Sequence, residues 1–299
     1  MIKNSGFPFN IYTNLVDSCV NSITDYSGAV IGFDHYQGPL KIYLRAARAF
    51  LGTPKNAIKN AIISEIGWLM PKYRNRIRMV RQLHRMLNMT NDTLTKKVFL
   101  WDKMLNNSGT VYTWYSEVKQ ICNDCNFQYI YETDQIFPLK TTILSMTETL
   151  QSKQNTEIKN ECLAMPKLRT FILFKDFENQ PNYLSKPLNY FQRRALANLR
   201  IGSFRLKIET QRYFRPKIPY EQRFCVTCPN HNNEIECETH YLFSCTAYGN
   251  LRESWLSLLE KPEYIKQKLK IVLNWTANIK PTANFILNAF EIRSKILSA

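Results

Sequence analysis

Between Arg223 and Arg252 the chain reads RFCVTCPNHNNEIECETHYLFSCTAYGNLR, and thiols and an imidazole recur in it at metal-ligand spacing. Cys225 and Cys228 are two residues apart, His240 follows after eleven, and Cys245 after four more. A Cys-x-x-Cys turn lets two sulfurs face one ion, and the stretch beyond it is long enough to return the chain with an imidazole and a third thiolate. Three thiolates and a neutral imidazole are a donor set for tetrahedral Zn2+. His231 and Cys237 lie inside the same run and could compete. His231 follows Cys228 too closely, whereas His240 and Cys245 have the compact spacing of a knuckle. The expected ligands are therefore Cys225, Cys228, His240 and Cys245. The competing reading is a set of buried apolar cysteines near a surface histidine.

Other reactive side chains suggest less. Cys122 and Cys125 form a second Cys-x-x-Cys, but no partner pair or histidine lies near them, and Cys162 stands alone. Two thiols at a helix end are the simpler reading than a redox pair or half a zinc site. His84 sits in a run of arginines, where it would be solvated or face phosphate. His35 precedes a Gly-Pro turn with no Ser, Cys or Asp grouping suited to nucleophilic catalysis. No residue is expected to be catalytic.

Charge is the second signal. The 299 residues carry 40 Lys+Arg against 24 Asp+Glu, for a formal net charge of +16. A surplus of that size favours a polyanionic partner, through counterion release along a phosphate backbone. From Lys41 to Arg85 there are eleven Lys/Arg and one acid, Glu65; from Lys167 to Arg223 there are thirteen against four acids. The expected phosphate contacts are Lys41, Arg45, Arg48, Lys72, Arg74, Arg78, Arg81, Arg85, Lys167, Arg169, Arg193, Arg194, Arg200, Arg205 and Arg212. Phe171, Phe174, Tyr190, Phe191, Tyr213 and Phe214 lie among the later arginines, and one or two should be exposed for base stacking. The alternative for both blocks is an ordinary solvated face. The sequence lacks an apolar run long enough to span a bilayer and a secretory leader, so nuclear or cytoplasmic residence with reduced thiols is expected, and no membrane partner.

The elements that must position these residues read as mainly α. Helices are expected over Ile11 to Val20, Leu40 to Leu51, and from Pro71 onward, where Ile77, Val80, Leu83 and Leu87 recur at helical spacing. Leu94 to Leu105 and Tyr112 to Cys122 should be helical, as should Tyr190 to Arg200, with Phe191, Leu196 and Leu199 inward. Lys167 to Lys175 suits a short strand or a helix start equally. Leu251 to Leu259, Tyr264 to Leu273 and Ala283 to Leu297 form a helical tail. Met146 to Glu161 is polar and suits a linker or exposed helix.

Taken in order, several segments resemble one family. Glu236-Cys237-Glu238-Thr239-His240, then Leu242-Phe243, Cys245, Tyr248 and Leu251-Arg252, is similar to the C-terminal Cys-Cys-His-Cys module of non-LTR retrotransposon polyproteins. Lys167-Leu168-Arg169-Thr170, Phe174-Lys175, Tyr183-Leu184, Arg193-Arg194, Leu199-Arg200, Ile208-Glu209 and Arg212-Tyr213 resemble the linker before that module. Leu51-Gly52-Thr53-Pro54 and Glu65-Ile66-Gly67-Trp68 resemble the thumb side of the reverse transcriptase. The resemblance spans roughly residues 10 to 255. It implies a helical thumb-like region over 1–145, a linker over 146–165, a basic helical connector over 166–222, the zinc-binding module over 223–252 and a helical tail over 253–299. Polymerases of this kind hold two metal ions on an Asp-Asp turn. The eight Asp residues here are isolated, and the chain starts beyond the place of the palm. The nuclease that follows the zinc module in some relatives has no Pro-Asp counterpart here. Cys237 within the zinc loop is a departure from the pattern. The expectation is a zinc-containing RNA- or DNA-binding protein without its own active site, with a polymerase chain of the same element as a possible partner. The alternatives are part of an active reverse transcriptase or endonuclease completed by another chain, and a zinc-stabilised protein-interaction module.

Overall fold

Helical periodicity governs most of the chain. The computed structural model describes residues 6–32, 36–109, 111–133, 135–228, 233–256, 264–274 and 279–298. The main helices are α1 (Phe9–Val16), α2 (Gln37–Leu51), α3 (Lys59–Ile66), α4 (Pro71–Leu87), α5 (Leu94–Asn107), α6 (Trp114–Asp124), α7 (Leu139–Leu163), α8 (Tyr190–Arg200), α9 (Gly249–Leu256), α10 (Ile265–Asn274) and α11 (Ile279–Ser298). Among the described residues the only β pairing is one antiparallel bridge, Phe224 with Ile235. The mainly α expectation holds. Lys167 to Lys175, open between strand and helix, contains the helical turns Pro166–Leu168 and Phe171–Phe174. No described helix is long and apolar enough to cross a membrane.

The chain forms two compact units, each assembled from separated stretches: Met1–Thr13, Leu44–Gly67 and Ile158–Ala299 in the first, Asn14–Tyr43 and Trp68–Glu157 in the second. The second unit is built on α4. Pro71 starts it at the position where a missing N–H costs nothing. Tyr73, Ile77, Val80 and Leu83 then recur on one face and pack with Phe99, Tyr115, Val118 and Ile121 from α5 and α6. Lys96 is buried and donates to the carbonyl of Met86 at 2.9 Å, which closes the C-terminal end of α4 with a cation. Gly28 and Gly32 lie against α4 so closely that a Cβ at either would sit within 2.5 Å of Asn75 side-chain atoms. α6 begins with a reciprocal Thr113–Ser116 capping box.

The first unit is organised around α8 and α11, which pack together. α8 opens on an Asn189–Gln192 capping box and buries Ala195, Leu196 and Leu199. Trp255 stacks on Phe285 with centroids 4.3 Å apart. At the centre, Arg200 is fully buried and grips both oxygens of Glu65 at 2.9 Å, while Tyr183 donates to the same carboxylate at 2.8 Å. Burial pushes Glu65 upward, but the Arg200 guanidinium outweighs it and holds the carboxyl below its usual range.

The polar segment assigned to a linker or exposed helix lies within α7. From Met146 onward its buried residues recur every fourth position, at Met146, Leu150, Gln154, Ile158 and Cys162. A narrow apolar stripe in a polar sequence is enough to hold this helix, and the division between the units falls inside it, between Glu157 and Ile158.

Candidate metal centre and basic surface

The metal-ligand loop closes on itself by backbone pairing. Cys225 N donates to Glu234 O at 2.8 Å, and Glu236 N donates to Arg223 O at 3.0 Å. The returning arm then tightens into a π turn, His240–Ser244, with Cys245 N donating to His240 O at 2.8 Å. Cys225, Cys228, His240 and Cys245 are all buried, and their ligand atoms lie within 4.8 Å of one another. Cys225 Sγ is 3.9 Å and Cys228 Sγ 3.6 Å from Cys245 Sγ. Cys228 Sγ is 3.4 Å from His240 Nε2. Bonds of ~2.3 Å to sulfur and ~2.0 Å to nitrogen around a tetrahedral zinc require edges of about 3.7 Å and 3.5 Å, so the three spacings fit that ion.

The electrostatics suit metal binding. The hydrogen bond between Cys245 and Cys225 pulls the Cys225 thiol well down and, with burial, pushes the Cys245 thiol up. Burial presses His240 down, but the hydrogen bond and charge of Cys225, with Glu234, outweigh it and raise the imidazole to about 9. A metal would therefore enter by displacing protons. Nδ1 of His240 is 2.6 Å from Glu234 Oε2, so the carboxylate fixes the tautomer that presents Nε2. Cys237 stands outside the set, with its Sγ 3.0 Å from Thr239 Oγ1. His231, His35 and Asp34 lie outside the described residues.

Arginines lock the loop in place. Arg252 donates to Leu242 O at 2.9 Å and to Cys245 O at 2.6 Å. Glu236 takes Arg293 Nε at 2.7 Å, Arg293 Nη2 at 2.9 Å and the backbone N–H of Lys207 at 2.6 Å. Glu238 takes Arg169 Nη2 at 2.9 Å and the Thr170 hydroxyl at 3.0 Å. The Glu-x-Glu before His240 thus ties the metal loop to α11 on one side and to the 166–170 turn on the other. Both glutamates belong to the Glu-x-Glu pattern of the sequence, but no local spacing pairs Glu236 with Arg293.

Among the described residues this is the only set of three or more His, Cys, Asp or Glu close enough to hold a metal. Cys122 and Cys125 sit at the end of α6, and burial raises their thiols to about 12 and 11, away from the thiolate that redox or metal chemistry needs. His84 is half-buried, edge-on to Phe137. Asp17 is exposed, whereas Asp25 is buried and held by Arg74 at 2.8 Å.

The basic residues divide sharply by environment. Lys41, Arg45, Arg81, Arg85, Arg194 and Arg205 are exposed. Arg48 and Lys167 are half-buried. Arg74 and Arg78 are drawn to Asp25, and Lys72 pairs with Glu157 at 2.7 Å. Arg169 and Arg212 are paired with Glu209. Arg193 and Arg200 are corrections to the expected phosphate set. Arg193 is buried, lies over the Phe50 ring and donates to Phe50 O at 2.8 Å. Arg200 is consumed by Glu65 and by Asn274. Both guanidiniums satisfy internal acceptors, so neither can reach a phosphate. Phe171 and Phe174 are core residues, whereas Phe191, expected inward, is exposed together with Tyr213 and Phe214.

Comparison of the chain with protein-family models, curated proteins and solved structures returns no match.

Proposed function

We propose that this chain is a zinc-stabilised nucleic-acid-binding protein, acting through phosphate contacts and related to the C-terminal part of a non-LTR retrotransposon reverse transcriptase. The observation that carries the reading is where the charge lies. The unit holding the Cys/His cluster has 27 Lys/Arg against 13 Asp/Glu, while the other unit has 13 against 11. A surplus gathered on one unit, beside a metal-fixed loop, attracts a polyanion and gives it a rigid surface. In this reading zinc is structural: its ligands are all protein groups, with no open position for substrate. The retrotransposon relationship rests on the order of the sequence segments. In it the chain supplies binding, and any polymerase or endonuclease chemistry belongs to another chain of the same element.

Filter binding of RNA and DNA oligonucleotides at several salt concentrations tests the reading. If about six phosphates are engaged, affinity falls roughly a thousandfold between about 50 and 200 mM salt, with little sequence preference. Binding that ignores salt, or no binding, rejects it.

A second reading, a protein-interaction module, draws support from α5. Leu94, Val98, Trp101 and Met104 are exposed on that helix while Lys96 and Phe99 are buried. An apolar helix face of this kind suits a protein surface. Salt-independent association with a protein and none with nucleic acid would favour it.

A further inference from the structure

The segment from Ile208 to Arg223 is a surface loop whose ends are pinned by one side chain. Arg223 is buried, and its guanidinium donates to Ile208 O at 2.9 Å and to Ile218 O at 2.9 and 3.1 Å. Ile208 N donates to Glu236 O at 3.3 Å, so the start of the loop is also tied to the metal loop. Its aromatic side chains are nevertheless left in solvent. Tyr213 is 68% exposed, Phe214 52% and Tyr220 44%. Three rings uncovered within eight residues of a closed loop offer a concentrated aromatic surface.

The company of these rings selects the partner. Arg215 and Lys217 lie between them and are exposed, while Glu221 is the one exposed acid of the loop. A peptide would need acidic and apolar side chains in matching order to serve both the cations and the rings. A strand with unpaired bases serves both, because each base offers a π face and each linkage a phosphate. Duplex hides its base faces and could use only the cations.

We propose that Tyr213, Phe214 and Tyr220 form a base-stacking platform for single-stranded nucleic acid, with Arg215 and Lys217 holding its backbone. This rests on the nucleic-acid reading above and narrows its ligand to single strands at this loop.

The test uses the full-length zinc-loaded chain and a fluorescent single-stranded oligonucleotide of about twelve nucleotides, within the span of a single-strand site. Parallel titrations use a duplex of the same length and an abasic strand with the same phosphates. The wild-type chain is expected to bind the base-bearing strand at least tenfold more tightly than the abasic one. Tyr213→Ala with Phe214→Ala and Tyr220→Ala should erase that preference, leaving duplex and abasic binding within about twofold; this follows from the usual worth of stacking per base. Replacing the same three residues by Trp should restore it, which a merely destabilised loop would not. Equal binding of base-bearing and abasic strands by the wild-type chain overturns the platform while leaving phosphate binding intact. Failure to bind any of the three overturns both. Loss of all three ligands together in the alanine variant, with no rescue by Trp, shows a structural role and overturns the platform.

Discussion

At the four clustered residues, zinc binding would be coupled to closure of the loop, because the donors come from both of its arms and converge only when it is closed. Replacing Cys228 or Cys245 with Ser is expected to drop zinc from about one ion per chain to near zero, measured by atomic emission on dialysed protein. Cys237→Ser should leave the content unchanged, since its sulfur faces Thr239. Glu234→Gln should weaken zinc about 10- to 100-fold without removing a ligand, because it loosens the imidazole orientation. The clustering of Cys225, Cys228, His240 and Cys245 is readable in the sequence because it is set by local spacing. Glu234 is not, because a carboxylate six residues before a histidine has no special meaning until the Phe224–Ile235 bridge brings the arms together.

Lys175 gives a pH test of the buried residues. It is nearly covered and donates to Asn179 O at 2.9 Å. Burial lowers it to about 8, with nearby Glu65 opposing the shift. A lysine depressed in the folded state disfavours folding while protonated. Between about pH 8 and its unfolded value near 10.4 the unfolded chain binds more protons, so stability rises with pH. Compared with a Lys175→Met variant, the wild-type chain should gain about 2 kcal/mol between pH 7 and 10 in urea melts. A constant difference between the two across that range would contradict the burial of this ammonium.

At the scale of elements, some helix starts are legible, while Lys59–Ile66, the start of α7 and the arginine environments are not. Pro71, the Thr113–Ser116 box and the Asn189–Gln192 box mark helix starts with local chemistry. A helical wheel of α8 places Phe191 with the apolar residues and Arg193 and Arg200 with solvent, and the structure inverts this because acceptors distant in sequence claim those two guanidiniums, while Arg194 stays exposed. Glu65 lies 135 residues from Arg200, and no local rule connects them. The same logic makes the α11 contact a test. Arg293→Met leaves Glu236 buried without its cation, and removing one partner of a buried pair costs about 3–5 kcal/mol. The variant is expected to lose that much stability in denaturant titration and to release zinc faster to a chelator. A double change, Glu236→Leu with Arg293→Leu, should recover part of the stability but not all, because Lys207 N loses its acceptor.

For the whole molecule, linear charge blocks and surface charge are different quantities. The Lys41 to Arg85 block reads as the strongest basic feature, yet folding sets Asp25, Glu117, Asp124 and Glu157 against its arginines and lysine. Those four acids come from elsewhere in the second unit and neutralise the middle of the block, Lys72 to Arg78, leaving Lys41, Arg45, Arg81 and Arg85 exposed. The later block meets fewer acids, and Arg194, Arg205, Arg215 and Lys217 remain exposed in the first unit. If phosphate binding follows surface rather than linear charge, changing these four to Ala should lower the salt slope by about one for each phosphate contact removed, uniformly across sequences. Changing Arg74, Arg78, Arg81 and Arg85 together should lower it by no more than about two, because Arg74 and Arg78 are drawn to Asp25 while Arg81 and Arg85 are exposed. A larger loss from the second set, measured by filter binding at matched temperatures, would return the binding face to α4.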